Sequence, residues 1–294
     1  MIPENLSKTL NWEVDERPIY DSTGRALPKF KALHNSSSGK LLHVVAQSYT
    51  PTLNAELMEN IELLTERTSL ELQGFETFRD GAKVMAFLRD SDPRPVGGHR
   101  AENYMLIGNS NDYSTAFFTG FTNYVHRCEN MFSMRNQQNR ISHTRDSRQR
   151  IGDLMRAHEL YFDAEAGFYR VNEELAGVRL RDHHRADMTR HVLDITDMQE
   201  VSGRKRNQAE SLGRCIDTET AAFGENLLGL FHGATRYVSR ELSTKSRTFG
   251  NVLGHPAQLN ARALEYCRTV AREHAPVVVS MHVPLVREVA AFVI

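Results

Sequence analysis

The sequence predicts an α+β protein, with a β-hairpin-rich N-terminal half that carries packed helices and a mainly helical C-terminal half. Up to about residue 150, short β-branched and aromatic runs alternate with turn signals. Beyond that point, longer segments repeat apolar residues at helical spacing. Hydrophobic residues make up 40% of the 294, which is enough for a real core. We therefore predict a β-rich α+β domain with an N-terminal arm at 1–150 and a mainly helical region packed on it at 151–294.

The first strands follow from the turn residues between them. After an arm with a strand beginning at Pro18, the runs 29–34 and 41–47 flank the Ser-rich sequence Asn35–Gly39 and predict a hairpin. Pro51 and Asn54 then precede apolar residues at helical spacing, which predicts a helix whose buried stripe consists of Leu57, Ile61 and Leu64.

A second hairpin and a loop complete the first hundred residues. Asp80-Gly81 between 70–78 and 82–88 is a hairpin signal, because this dipeptide supplies the positive φ of a tight primed turn. The sequence SDPRPVGGHR, 91–100, is typical of a mobile loop. Its Arg94 and Arg100 are candidate phosphate contacts, and a plain surface loop is the alternative.

The stretch 102–144 is the most function-like part of the sequence. We predict strands over Tyr104–Ile107 and Thr115–Thr119, joined by a turn at Gly108–Asp112, then a break at Gly120. A helix is expected from Thr122 or Asn123 onward, because apolar residues recur at three- and four-residue spacing. They are Val125, Cys128, Met131 and Phe132, with Arg135 continuing the pattern. On this stripe Cys128 is expected to be a buried core residue rather than a nucleophile.

The segment 136–150 that follows is polar and basic, with Asp146 as its acidic residue. Its candidate nucleic-acid contacts are Arg140, His143, Arg145, Arg148 and Arg150. An exposed ring beside such arginines would hold single-stranded nucleic acid by stacking, and Tyr113 is the candidate ring.

Helical periodicity dominates the second half. We predict helices over Ile151–Phe162, Met188–Glu200, Thr218–Leu242 and Pro256–Arg272. The basic cluster Arg204-Lys205-Arg206 is expected in a loop. Val277–Val279 predict a strand, and the apolar terminus Val289–Ile294 calls for a partner surface, such as another subunit.

Composition and motifs limit the function classes. A net charge of −1 means that any nucleic-acid affinity must come from a local patch. Three scattered cysteines, the lack of a spanning apolar run and the lack of a secretory leader predict a soluble, cytoplasmic protein without a membrane partner. Nucleotide-hydrolase, dinucleotide-binding, serine-hydrolase and zinc-protease motifs are absent from the sequence, so we expect no cofactor and no metal.

A histidine cluster offers a less favoured enzymatic alternative. Asp182, His183, His184 and Asp187 could serve a metal-dependent nuclease. However, His184 and His191 lie about two helical turns apart, too far for one ion.

The order of several segments resembles the phage/plasmid-like family of domain of unknown function 932. The segments that carry the resemblance are LLHVVAQSYTPTLNAEL, VHRCENMF, ISHT, ENLLGLFHGATRYV and FGNVLGHPAQLNARAL. Tyr49, Pro51 and Asn54 fit the family's strand-to-helix element, and Arg127, Cys128, Asn130 and His143 fit its second element. Glu129 departs from the family, which has a less acidic residue there. The resemblance implies a phage, prophage or plasmid origin, and hence the cytoplasm of a bacterial host cell, but no settled activity.

Element order is also similar to that of phage single-strand annealing proteins. The leading hypothesis is therefore a homo-oligomeric single-stranded DNA binding and annealing protein acting in replication or recombination, rather than an enzyme. The alternative, favoured by the near-neutral charge, is a phage structural or host-interaction protein that self-assembles without binding nucleic acid.

Overall fold

A computed structural model describes residues 10–51, 53–78, 82–90, 94–111, 118–125, 130–135, 147–197, 201–242 and 254–274. Within these ranges, eight strands form two antiparallel sheets, and most helices follow them in the chain. The α+β class is confirmed. The division at residue 150 stays a prediction.

The first sheet contains β1 (Val14–Tyr20), β2 (Ala26–Asn35) and β3 (Leu41–Ala46) in chain order. The predicted β2–β3 hairpin is confirmed. Asn35 forms its turn, because its side-chain oxygen accepts hydrogen bonds from the backbone N–H groups of Ser37 (2.9 Å) and Ser38 (3.0 Å).

The predicted helix after this sheet is also confirmed, as α1 (Asn54–Arg67). Its stripe of Leu57, Ile61 and Leu64 is buried. Asn54 ties the helix to the chain that enters β1, because its amide donates to the carbonyl oxygens of Leu10 and Trp12, each at 3.5 Å.

The second sheet has five strands in chain order: β4 (Glu71–Phe78), β5 (Lys83–Arg89), β6 (Ala101–Ser110), β7 (Phe118–Val125) and β8 (Asn130–Arg135). The predicted β4–β5 hairpin is confirmed, although its turn, 79–81, lies outside the described residues.

The predicted turn at Gly108 and break at Gly120 are wrong, because both glycines lie inside strands. Gly108 pairs with Phe118, and a Cβ at Gly108 would lie 2.2 Å from the Phe118 ring. The glycine therefore marks close packing of a ring against a strand.

The helix predicted from Thr122 is wrong as well. Residues 118–125 pair with β6 on one side and with β8 on the other, so this stretch is a central strand and its continuation is the edge strand. Apolar residues at three- and four-residue spacing fit a helix, but they also fit two short strands with a connection between them. Pairing with strands distant in the chain decides between the helix and the strands. Cys128 lies outside the described residues.

The remaining helices are α2 (Ser147–Ala176), α3 (Asp182–Leu193), α4 (Gly203–Phe223), α5 (Leu227–Arg236) and α6 (His255–His274), with a π-helical turn at Tyr237–Glu241. Each predicted helical segment overlaps one or more of them, but three predicted extents are wrong. α2 continues to Ala176 rather than ending at Phe162. α3 ends at Asp194, where φ is 53°. The stretch predicted as one helix from Thr218 to Leu242 is interrupted at Gly224, where φ is 98°.

The basic cluster Arg204-Lys205-Arg206 was expected in a loop and instead lies in the first turn of α4. Ser202 explains its helical conformation, because the serine side chain caps the helix by accepting a hydrogen bond from the Lys205 N–H at 3.4 Å.

The main hydrophobic core lies between the inner face of the second sheet and the helices. Phe121 of β7 meets Tyr161 and Phe168 of α2 there, with ring centroids 5.8 and 5.3 Å apart. Among the described residues, none from β1–β3 belongs to this core.

No described helix is long and apolar enough to cross a bilayer. The predicted strand at Val277–Val279 and the apolar terminus lie outside the described residues.

Candidate functional site

The sequence-predicted contacts are only partly within the described residues. Tyr113, Arg140, His143 and Arg145 lie outside them. Arg148 and Arg150 occupy the N-terminal turn of α2, which has no acidic residue in its first turn. A helix N-terminus carries partial positive charge, so these cationic positions reinforce rather than neutralise it.

Arg94 and Arg100 lie between β5 and β6, away from the N-terminus of α2. The Arg94 guanidinium is 5.6 Å from the centroid of the Tyr169 ring, and the Tyr169 hydroxyl donates to the Arg94 carbonyl at 3.0 Å. The Arg100 side chain, 72% exposed, pairs with Glu102 at 3.2 Å. Tyr169 is about 30 Å along α2 from Arg148, at about 1.5 Å per residue. The structure therefore separates the described candidate arginines into two groups, and their nucleic-acid contacts stay predictions.

The loop that carries Arg94 and Arg100 is held against the helices over residues 94–100, unlike the mobile loop that the sequence suggested. Val96 is buried and its backbone pairs with that of His99. The His99 ring meets the edge of Phe223, with centroids 4.7 Å apart, and Phe223 stacks on the buried His232 at 4.2 Å. Apolar contact with α4 and α5 thus fixes this loop.

An exposed apolar surface lies on the first sheet. Its large members are Tyr20, Leu27, Phe30, Leu41 and Val44, with Tyr20 59% and Phe30 48% exposed. We call these five residues the first-sheet surface. Strand register places Phe30 opposite Ala46, and Ala32 opposite both Val44 and Arg17. One face of the sheet therefore carries Phe30, Val44 and Arg17. The small alanines between them leave the Phe30 ring open to solvent.

Exposed cations flank the two aromatic residues of this surface. Arg25 precedes Ala26, the strand partner of Tyr20, and Lys29 precedes Phe30. The carboxylate of Asp21 forms the intervening turn by accepting hydrogen bonds from the Thr23 hydroxyl (2.6 Å) and from the N–H groups of Thr23 and Arg25, and these bonds lower the Asp21 pKa. Strand alternation places Lys29 on the face opposite Phe30, whereas Arg17 shares the face of this ring.

A local sequence pattern indicates the exposed ring of this surface. Lys29-Phe30-Lys31 alternates charge and ring on a predicted strand, which places the ring on the face opposite the lysines. Lys31 is buried and pairs with Glu16 at 2.7 Å on that opposite face.

A second unusual arrangement is the buried carboxyl pair of Asp90 and Glu165, which we call the acid pair. Asp90 follows β5 and is 6% exposed, and Glu165 of α2 is 5% exposed. Their carboxyl groups are hydrogen-bonded to each other.

Two amide side chains connect the acid pair to the sheet. The Asn103 amide donates to Glu165 and, at 2.8 Å, to the Tyr169 hydroxyl, while Asn123 donates to the Asn103 oxygen at 2.7 Å. Burial raises the Glu165 pKa, the Asn103 hydrogen bond opposes this, and Asp90 raises it further. The inner face of β6 and β7 thus carries a hydrogen-bonded polar chain that ends on a carboxyl.

The Tyr161 hydroxyl near the acid pair has no hydrogen-bond partner among the described residues. Tyr161 is 3% exposed. Burial raises the Tyr161 pKa, and the charges of Glu165 and Asp90 raise it further, so the phenol lies within electrostatic range of both acids. No local sequence pattern indicates this cluster, because its members come from four places distant in the chain.

The histidines of α3 do not converge. His184 accepts a hydrogen bond from the Arg181 N–H at 3.1 Å and packs against His274, whereas His191 contacts the Tyr266 ring. Burial is the main cause that lowers the His184 pKa. In the described part of the chain, no group of three or more histidine, cysteine, aspartate or glutamate residues could hold a metal ion.

Fold and sites together define an α+β protein with an exposed aromatic sheet surface and a buried polar cluster. Residues 41–263 match the family described as Domain of unknown function (DUF932). This match covers most of the chain, so the chain belongs to that family and the predicted resemblance is confirmed. No curated protein and no solved structure matches it.

Proposed function

We propose that the protein binds single-stranded DNA and promotes strand annealing, with Tyr20 and Phe30 stacking on bases and Arg17 and Arg25 contacting phosphates. The observation that carries the proposal is the exposure of these two rings on one sheet, with Arg17 on the face of Phe30. Base stacking on an exposed ring contributes about 1–3 kcal/mol and tolerates any sequence. Apolar rings left in water stabilise a protein little, so their exposure favours a binding role.

Binding of a labelled oligothymidylate, followed by fluorescence anisotropy, tests this proposal. Replacing Tyr20 and Phe30 together by Ala should weaken binding by at least about tenfold, because two stacking contacts are lost. Leu41→Ala is the matched control, since it removes exposed apolar area from the same sheet without removing a ring. Equal affinity of the double variant and the parent would overturn the proposed surface.

Annealing is tested separately with two complementary labelled strands. The double variant should anneal them more slowly than the Leu41→Ala variant at equal protein concentration. Binding without acceleration would retain the binding proposal and remove the annealing one.

The arginines predicted from the sequence contribute a second set of phosphate contacts in this proposal. Replacing Arg140, Arg145 and Arg148 by Ala should lower the salt slope of binding by about 0.7 per contact, roughly two units in total, for every sequence alike. The position of Arg148 at a helix N-terminus supports it. An unchanged slope would assign these arginines to surface ion pairs instead.

Self-assembly without nucleic acid is the second candidate function. Three aliphatic residues, Leu27, Leu41 and Val44, are exposed on the first sheet, at 38%, 57% and 42%. Aliphatic area favours contact with a protein surface, and within the described part of the chain β1 and β3 are the edge strands of this sheet. Light scattering should then show a mass well above 33.5 kDa that falls in the Leu41→Ala variant, with no oligonucleotide bound.

A further inference from the structure

The two edge strands of the first sheet differ in their protection against further pairing. β1 carries three charged residues and a proline at 15–18. β3, with the sequence LLHVVA, has no lysine, arginine, acid or proline. Charged side chains and prolines on an edge strand disfavour its pairing with another chain, and natural proteins normally cover the edges that lack them. Of the two edges, β3 is therefore the one that is suited to pairing.

The backbone of β3 directs hydrogen-bonding groups to its outer side. The Gln47 N–H donates to the Lys29 carbonyl at 2.8 Å, which makes these two residues a hydrogen-bonded pair at the end of the β2–β3 ladder. Such pairs alternate with non-bonded pairs, so every second residue of β3 directs its backbone groups toward β2. Val44 and Ala46 belong to the other set and direct theirs outward. Within the described ranges, no strand pairs with β3 on that side.

The side chains of β3 are compatible with a second copy of the same strand. Leu41 and Val44 are 57% and 42% exposed. An antiparallel pair centred on Val44 places Leu42 opposite Ala46, so it preserves the two faces of the sheet and sets no like charges opposite each other. Pairing would also cover part of the exposed aliphatic area.

We propose that two copies of the protein pair through β3, antiparallel and with Val44 opposite its counterpart, so that two three-stranded sheets become one of six strands. A strand that pairs with its own copy forms an isologous contact, which closes after two subunits. Because β1 is protected by its charges and proline, the assembly ends as a dimer and does not grow into a fibre. This inference rests on the self-assembly candidate and names its partner and its strand.

The pairing has a consequence for nucleic-acid binding. The two-fold axis of an antiparallel pair is perpendicular to the sheet, so both copies present the same face on the same side. Phe30 and Arg17 of both chains would then lie on one continuous surface. This consequence rests on the proposed DNA binding, whereas the pairing itself does not.

Light scattering of the full-length protein without nucleic acid tests the pairing. The parent should have twice the mass of one chain, 33.5 kDa, at micromolar concentration. Val44→Lys and Val44→Glu should each give a monomer, because like charges would lie directly opposite each other. An equimolar mixture of the two variants should regain the dimeric mass, because the charges are then opposite. Leu27→Lys is the matched control, since it adds the same charge at an exposed aliphatic residue outside β3, and it should remain dimeric.

The possible failures are distinguishable. A monomeric parent would overturn both the pairing and the self-assembly candidate. Val44 variants that keep the mass of the parent would overturn pairing through β3 and leave self-assembly through another surface standing. Monomeric variants whose mixture stays monomeric would overturn the position of Val44 on the two-fold axis.

Ala46→Pro keeps the test decisive if the charged variants do not fold. Proline removes the outward N–H of an exposed residue, and the β2–β3 ladder loses no hydrogen bond. The dissociation constant of the dimer should rise at least about tenfold, because each copy loses one hydrogen bond across the contact. Sedimentation equilibrium measures this constant, and an unchanged value would overturn the pairing.

Discussion

The two sheets of this protein depart from ordinary burial in opposite ways. The first sheet exposes aromatic and aliphatic side chains, whereas the second buries two asparagines on the face that packs against α2, where Glu165 of that helix is buried as well. Apolar groups in water and polar groups in the interior each cost free energy unless a partner is present. The comparison teaches that the first sheet offers a surface to a partner, whereas the second uses its polar groups to join its strands to α2.

The largest difference between the sheets should appear on removal of a ring. Phe121→Ala, in the core of the second sheet, should destabilise the protein by about 3–5 kcal/mol, because Tyr161 and Phe168 lose their packing partner. Phe30→Ala, on the first sheet, should change stability by less than about 0.5 kcal/mol. Urea unfolding of both variants measures the difference, and similar losses would mean that the first-sheet surface is covered in solution.

Acid should weaken the helical side of the molecule through His232. Burial, followed by the charge of His99, lowers the His232 pKa to about 3. The unfolded chain takes up this proton near the ordinary value of 6.5, whereas the folded protein does not, so stability falls as the pH drops from about 6.5 to about 3. The slope from this group is at most about 1.4 kcal/mol per pH unit.

Urea midpoints of the parent and a His232→Gln variant between pH 7 and pH 4 measure this contribution. The variant should show a shallower loss toward acid. Parallel curves for the two proteins would mean that His232 is protonated in the folded state.

Breaking the polar chain of the second sheet should cost less than removing a core ring. Asn103→Ala leaves Glu165, Tyr169 and Asn123 without one hydrogen-bond partner each, and we expect a loss of about 1–3 kcal/mol. Chemical unfolding provides the measurement. A loss below about 0.5 kcal/mol would show that water replaces the amide and that the cluster is more open than the structure indicates.

The smallest effect should come from the ion pair of the first sheet. Lys31 is buried, but its partner Glu16 is 43% exposed at the side chain, so solvent screens the pair. Glu16→Gln should cost about 1 kcal/mol or less. Thermal unfolding at low and high salt measures this change in stability. A loss of several kcal/mol would show that this half of the sheet excludes water as the core does.

The sequence by itself determined the elements whose signals are local. Turn residues placed β2, β3, β4 and β5, and the stripe of Leu57, Ile61 and Leu64 placed α1, because dihedral preferences and the side-chain period act within a few residues. The family was also readable from short segments of sequence, as the match over residues 41–263 confirms.

Tertiary structure decided the remaining features. Residues 118–125 and 130–135 form strands because pairing with β6 and with each other outweighs a helical spacing. Gly108 is a strand residue against which the Phe118 ring packs. The acid pair joins the end of β5 to the middle of α2, and no local pattern relates these positions. Which rings remain in water likewise depends on what the rest of the chain covers, so the exposure of Tyr20 and Phe30 appears only once the sheets and helices are packed.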